Sequence, residues 1–536
     1  MANTFKKVID RLMWVQTTPA PNVHASGMSM CSDLRSDVSR NPYVYQLASA
    51  TVLNRFNIVT KAWQFALNPA LAGTFGAGAS IVFAPSQGLK GAIGAGSTAS
   101  SIVTTTAMTA VGVNMLANRG GSGEFGFKIR IIGKASGKAE ERWIVGNSAG
   151  ATPTFALDNP LTFTPVDGDV YEILSGRVFM FNAGATASNR WRSYETASNT
   201  LSNGLSVVGL PATVGTDTAL VALDEQYTPY DCEPGEGFIK GGFIYDQNLT
   251  IRRALAATAA SSTTLTGQAS NGDASVLENE YRNFQIRIVQ DLVNPSAVGQ
   301  RAIIASHTAG PSAVYTLGSS WDVTPSAEAK FVIEYPNLIL ARSTATTTVY
   351  TWNYNDATVN NGTNNIAANA WSTTYFAAAP ANNALGCMWA PCYGIRPDAD
   401  KNARHSFIYF FRGQANTLDR FDLAGGATGA WTGAVPYDGA ATITTGSCGG
   451  YAPFANEGRF FYMNIYAASA ANQIYRFDVQ NSTLAPMTAT DWVQSGTAAA
   501  GQRMASYCAI DGKDKYDVIL LMSHATTISQ ELVTLI

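Results

Sequence analysis

The segments SFIYFFRGQANTLDRFD (406–422) and RFFYMNIYAASAANQIYRFD (459–478) are two copies of one unit. Each begins with an apolar run, crosses a short polar link, and ends on a run carrying a basic residue, an aromatic and Asp. The unit returns as NPYVYQLASATVLNRFN (41–57), GRVFMFNAGATASNRW (176–191) and NLILARSTATTTVYTWN (337–353), and truncated as YDVILLMSHATTISQELVTLI (516–536). Self-similarity of this kind is the signature of a repeat architecture, in which one unit cannot cover both faces of its own sheet.

The motif core is Arg55-Phe56-Asn57, Arg190-Trp191, Thr351-Trp352-Asn353, Arg420-Phe421-Asp422 and Arg476-Phe477-Asp478. A turn follows, often with an aromatic or Met beyond it (Trp63, Trp431, Met487). Ahead of each pair lies a third, small-residue strand: GMSMCSD (27–33), GASIVFAPS (78–86), GFIKGGFIYD (237–246), LGCMWAP (385–391), GSCGGYAP (446–453) and MASYCAID (504–511). A small strand, an apolar strand, an aromatic-bearing strand and an outer strand resemble a kelch blade, with its double glycine kept at Gly449-Gly450 and Gly241-Gly242. The resemblance implies an all-β, roughly six-bladed kelch-like β-propeller, whose ring leaves only short edges. The last unit lacks an outer strand. Leu12-Met13-Trp14-Val15-Gln16, similar to Asp491-Trp492-Val493-Gln494, is expected to supply it and lock the ring.

A second repeat lies inside the first. GFKIRIIGKASGKAEERWIVGNSAG (126–150) matches NFQIRIVQDLVNPSAVGQRAIIASHTAG (283–310), and 153–174 matches 313–335. This alignment pairs Phe127 with Phe284, Arg130 with Arg287, Arg142 with Arg301, Pro165 with Pro325 and Ile173 with Ile333. Alternating apolar residues bounded by Gly, Pro and Asn predict short antiparallel strands. Two homologous small β-barrel or sandwich domains are therefore expected, inserted in blades two and three. The organisation reads as propeller over 1–87, inserted copy 1 over 88–175, propeller over 176–247, inserted copy 2 over 248–336, and propeller over 337–536. Surface blade loops tolerate such insertions because their ends lie close together.

Composition agrees with a turn-rich β protein. Hydrophobic residues make up 46% and charged residues 14% of the 536, with 48 Gly; an average soluble protein is roughly 25% charged. A net charge of −3 offers no electrostatic reason to expect nucleic acid as a partner. The N-terminus, with Lys6, Lys7, Asp10 and Arg11, has no apolar run of signal-peptide length, and no window resembles a membrane span, so synthesis in the cytoplasm without membrane insertion is expected. Six cysteines in this length do not make a disulfide framework.

The search for chemistry yields no catalytic, cofactor or metal residue to assign. His24, His307, His405 and His524 have no metal-site spacing, and His307, aligned with Ser148, reads as a tolerant surface position. Cys31, Cys387, Cys448 and Cys508 fall on the expected innermost strands. They could face the channel as a thiolate metal site, or serve as small apolar residues where blades converge, which is the preferred reading. Cys387 and Cys392 have no partner pair. Glu140-Glu141 and Asp398/Asp400 read as solvated loop residues rather than acid–base pairs. Nucleophile elbow, P-loop and sialidase box are missing from the sequence. The recurring Arg55, Arg190, Arg420 and Arg476 point to a repeated structural task, with a ring binding an anion as the alternative; Arg130 and Arg287 invite the same weighing.

An Ala/Gly/Thr/Asn-rich, charge-poor propeller carrying duplicated small β modules resembles structural proteins of tailed-phage virions. That resemblance implies a non-catalytic part of the virion tail or neck, made in the host cytoplasm, working through protein–protein contacts with other virion proteins and as a homo-oligomer. The alternative is an adhesin binding a host receptor or glycan, with Trp371, Tyr375 and Trp389 as anchors if they are exposed rather than in blade cores. A kelch-type enzyme is a distant third.

Overall fold

The computed structural model describes residues 13–17, 29–34, 42–49, 51–64, 75, 78–117, 126–182, 190–202, 204–211, 214–215, 217–227, 254–269, 277–310, 312–344, 346–391, 406–436, 442–443, 447–452, 459–465, 473–486, 503–511, 514–522 and 529–534. The chain is all-β, with helix among the described residues limited to short 3-10 turns such as Glu225–Tyr227 and Pro295–Ala297. It forms a propeller-like arrangement of five blades, a further four-stranded sheet built from both ends of the sequence, and a barrel body.

Each blade is a four-stranded antiparallel sheet in simple sequence order. Blade one comprises Met30–Ser32, Tyr43–Ser49, Val52–Asn57 and Ala62–Gln64; blade two comprises Ser80–Ala84, Arg177–Phe181, Trp191–Glu195 and Thr200–Ser202. Blade three comprises Ala219–Leu223, Leu338–Arg342, Tyr350–Asn353 and Ala370–Ser372. Blade four comprises Met388–Pro391, Phe407–Phe411, Thr417–Asp422 and Ala430–Pro436, and blade five Cys448–Ala452, Phe460–Ile465, Gln473–Asp478 and Thr483–Pro486. In the remaining sheet Met13–Thr17 is the outer strand, followed by Ser529–Thr534, Asp514–Met522 and Arg503–Asp511. Met13 stands opposite Val533 and Thr17 opposite Ser529, so the N-terminal strand occupies the edge expected for it. The first strands of the six sheets neighbour one another in chain order, and Arg503–Asp511 returns to Met30–Ser32.

One placement differs from expectation. Blade three was expected to begin with 237–246, which lies outside the described residues; Ala219–Leu223 takes the innermost place instead, paired with Leu338–Arg342. Its five apolar residues are an unmarked run in the sequence, without the double glycine that drew attention to the later segment.

The second strands read as continuous apolar runs because packing covers both faces: Phe407–Phe411, Phe460–Ile465 and Leu338–Arg342 are buried throughout. Aromatic pairs cross between blades. Tyr45 stacks on Phe83 at 5.9 Å and Phe411 on Phe461 at 5.7 Å between ring centroids.

Register shows what the motif does. Phe56, Trp352, Phe421 and Phe477 occupy one equivalent position, opposite Val44, Ile339, Ile408 and Phe461. The Asn or Asp that follows folds back on the next turn. Asn57 Oδ1 accepts from the Val59 and Thr60 amides at 2.9 and 3.0 Å. Asn353 accepts from Asn355 at 2.9 Å, Asp422 from Ala424 at 3.0 Å, and Asp478 from Gln480 at 3.0 Å. A short acceptor side chain bonding an amide two residues on is a turn-forming device. In blade two the position equivalent to Phe56 is Tyr194, opposite Val178, and Glu195 does the capping, accepting from Ala197 at 3.0 Å. Trp191, aligned by sequence with the motif aromatic, is thus offset from it.

The arginines of the motif hold the same sheet together. Arg55 lies 4.1 Å from the Tyr43 ring, Arg420 4.3 Å from Phe407 and Arg476 4.2 Å from Phe460, each a diagonal cross-strand neighbour. Arg190 belongs to the offset segment and instead donates to the Pro211 carbonyl at 2.8 Å.

The chain between the first and second strands of blades two and three builds a twelve-stranded sheet. Leu255–Ala260, Lys330–Glu334, Gln285–Gln290, Arg301–His307, Val314–Leu317 and Thr264–Gly267 pair in that order, and the last returns to the first, closing a barrel. Lys90–Ala92, Val170–Leu174, Lys128–Gly133, Lys138–Asn147, Thr154–Leu157 and Ser101–Val103 repeat the order, with an Ile93–Thr104 bridge at the closing seam. The two sets join where Lys138 pairs with Gln290. At that seam Gly137 has φ +68, and a Cβ on it would lie 2.0 Å from the Asp291 carbonyl oxygen, so the close approach requires glycine.

The registers also correct the sequence alignment. Arg130 stands opposite Glu141 and Arg287 opposite Arg301, so Arg301 is equivalent to Glu141, and Arg142 to Ala302. In a strand a shift of one residue exchanges the two faces, which separates Arg142 from the site to which Arg301 belongs.

Candidate functional site

Where barrel strands and blade three meet, the chain turns sharply at Glu225, immediately after the innermost strand of blade three. Asn337, immediately before the second strand of that blade, clamps the turn. Its Oδ1 accepts from the Glu225 amide at 2.8 Å, and its Nδ2 donates to Glu225 Oε2 at 2.8 Å. The Glu225 carboxylate is thereby aimed into the barrels, where Arg130 Nη1 donates to it at 2.5 Å, Arg301 Nε at 3.0 Å and Gln285 Nε2 at 3.2 Å.

The network extends through both barrels. Arg130 also reaches Glu172 at 2.8 Å and Glu141 at 2.8 Å, and Arg301 reaches Glu172 at 3.2 Å. Lys128 lies 3.4 Å from Glu141, Arg287 pairs with Glu334, and Lys90 bridges Glu172 at 3.8 Å and Asp356 at 2.9 Å. Buried charges are tolerable only when paired and hydrogen-bonded, and this cluster balances five cations against five carboxylates. Burial opposes ionisation of Glu225 and Glu172, but the facing guanidinium groups of Arg301 and Arg130 outweigh it and hold both carboxyls well below the usual range. Burial also opposes ionisation of Glu141, and Lys128 and Arg130 bring it to about 2. Asp224 goes the other way. Burial pushes it up to about 7, although it accepts from the Ser86 hydroxyl at 2.8 Å and from Tyr354 at 2.9 Å.

Above this network lies a cavity of about 510 Å³, walled by both barrels, by Glu225 and Asn337, and by the loop after the third strand of blade three. Lys90, Lys134, Glu172, Arg301, Trp321 and Asp322 all line it. Its size falls among small-molecule sites.

The residues singled out in the sequence are distributed differently. Glu140 and Glu141 are strand residues, not solvated loop residues: Glu140 pairs with Arg142 at 2.5 Å and Glu141 with Arg130. His307 is buried rather than on a tolerant surface. Its Nε2 accepts from the Tyr281 amide at 2.9 Å, its Nδ1 lies 2.9 Å from the Thr308 carbonyl, and burial lowers its pKa. In the other barrel Asn147 does the same work, its Oδ1 accepting from the Leu116 amide at 2.9 Å. Trp371, Tyr375 and Trp389 are 4%, 0% and 6% exposed, placing them in blade cores and not on an anchoring surface.

Cys387 and Cys448 line a cavity of about 180 Å³ where the first strands of the blades converge, and Cys31 lines an adjoining one of about 150 Å³. Burial raises the Cys31 thiol and pushes Cys387 up to about 11, as expected of thiols in apolar surroundings. The side chain of Cys508, and Cys392, His24, His405, His524, Asp398 and Asp400, lie outside the described residues. Among the described residues no cluster of three His, Cys, Asp or Glu has metal-site geometry, and no helix is long and apolar enough to cross a membrane. Glu225 and Asn337 have no repeated counterpart in the sequence, which leaves nothing there to mark them as the hub.

No family model and no curated protein matches the chain. Among solved structures it is similar to the C-terminal WD40 domain of Sif2, with 10% identity over 97% of this chain and 98% of that one and a TM-score of 0.25. The GH74 xyloglucanase from Xanthomonas campestris shares 9% identity over 97% of this chain and 100% of that one, with a TM-score of 0.21. The tricorn protease shares 8% identity over 94% of this chain and 47% of that one, with a TM-score of 0.18. At these scores the comparisons carry no functional argument.

Proposed function

We propose that this protein is a non-catalytic structural component of a tailed-phage virion, in the tail or neck, acting through contacts with other virion proteins and with copies of itself. The chain is a six-bladed kelch-like propeller in which the sheet built from both ends is the sixth blade, and the barrels are duplicated domains inserted over about 88–175 and 248–336. The observation that carries the proposal is the Glu225 hub. The Glu225 carboxylate pairs with Arg130 of one barrel and Arg301 of the other, and Glu172 holds both arginines, which suits a rigid scaffold presenting a tall, lopsided face. The low charge content and the turn-rich composition point the same way.

Light scattering coupled to size exclusion tests the reading on the recombinant chain. A fixed ring or other closed multimer is expected, since closed symmetry is the common solution for identical subunits. A monomer at every concentration, with no particle-associated form under negative stain, overturns it.

A further inference from the structure

We infer that the cavity between the barrels and blade three binds a neutral, polyhydroxylated ligand, a saccharide of one or two rings. The inference goes beyond the virion reading, because a virion scaffold can carry or lack such a site.

The cations and carboxylates that floor the cavity already neutralise one another: Arg301 is taken by Glu225 and Glu172, and Lys90 by Glu172 and Asp356. A phosphate would find only Lys134 without a carboxylate already on it, with the Asp322 carboxylate in the same wall, and a metal ion would meet Arg301 and Lys134. A neutral ligand pays neither cost. The wall nevertheless offers hydrogen bonds of both kinds. Among the described residues the Lys134 ammonium and the Asp322 carboxylate, both lining the cavity, have no side-chain partner. Hydroxyl groups, which donate and accept, match such a mixed lining.

Trp321 adds a second, independent observation. It lines the cavity, it is 6% exposed, and among the described residues its buried indole N–H has no acceptor. A buried donor left without an acceptor is unfavourable, and a tryptophan offers an apolar ring together with one polar handle. At 6% exposure Trp321 lends the wall a small apolar edge, which suits the C–H groups of a sugar ring. The volume of about 510 Å³ accommodates such a ligand.

The test uses the full chain with maltose, cellobiose, lactose and chitobiose as probes, by saturation-transfer NMR and calorimetry, with sodium phosphate in parallel. At least one disaccharide is expected to bind saturably, and phosphate is not. Ser320→Trp, which fills the cavity, is expected to weaken binding at least about tenfold while the melting temperature is retained. Asp322→Ala, at an exposed position, serves as the second variant should Ser320→Trp fail to fold. No saturable signal from any disaccharide overturns the inference, as does phosphate binding that Ser320→Trp abolishes, or saccharide binding that neither variant alters. The oligomeric state is read separately, so failure here leaves the virion proposal standing, and a monomer there leaves this inference standing.

Discussion

The substitution Glu225→Gln tests whether the buried charge network fastens the barrels to the propeller. Gln preserves the shape and one acceptor oxygen, and the Asn337 clamp on the backbone amide is untouched. What disappears is one negative charge facing Arg130 at 2.5 Å and Arg301 at 3.0 Å. Removing one member of a buried ion pair costs about 3–5 kcal/mol, because the partner is left as an uncompensated buried charge. The retained acceptor places Glu225→Gln near 3 kcal/mol, a large part of the roughly 5–15 kcal/mol that holds a domain together. Urea unfolding followed by tryptophan fluorescence reads the loss as a lower midpoint. The double variant Glu225→Gln/Arg301→Met restores charge balance and is expected to recover at least about 1 kcal/mol of it, since residues in one network couple by roughly 0.5–3 kcal/mol. A shift below about 0.5 kcal/mol for the single variant, or no recovery in the double, refutes the reasoning.

Deleting residues 1–17 removes the outer strand opposite Ser529–Thr534, worth about five backbone hydrogen bonds at roughly 1 kcal/mol each, so a sharp fall in melting temperature is expected in calorimetry. His307→Asn imitates Asn147 at the equivalent place and is expected to leave stability nearly unchanged, whereas His307→Leu strands the Tyr281 amide and costs about 1–3 kcal/mol in urea titration. Glu141 has a depressed folded pKa, so its contribution is present above about pH 4.5 and is lost as pH falls toward 2; melting curves of Glu141→Gln should lose that acid limb. Asp224 has a raised folded pKa, so the protonated form is favoured by folding and its contribution fades as pH rises from about 4 to 7; Asp224→Asn should flatten the decline over that interval.

The sequence by itself determined the blades, because a strand buried on both faces must be apolar along its whole length and must recur with each blade. Phe407–Phe411 and Phe460–Ile465 are legible for that reason, and so are the Asn or Asp turns that follow Phe56, Phe421 and Phe477. The edge strand Met13–Thr17 was legible too, because the last unit visibly lacked an outer strand and the N-terminus offered one. Glycine-marked segments misled where a plain run did the work, as with Ala219–Leu223 against 237–246. Only the tertiary structure decided the faces and the charges. Register in a strand is set by which neighbours pair, so the equivalence of Arg301 with Glu141, and of Tyr194 with Phe56, could not be settled by aligning letters. Glu140, Glu141 and His307 look solvated in the sequence because polar side chains usually are; here partners on the same or a neighbouring strand or loop, Arg142, Arg130 and the Tyr281 amide, offset the cost of burial. The Glu225 hub draws on residues from 130 to 337, and such a convergence exists only once the strands carrying them have been brought together.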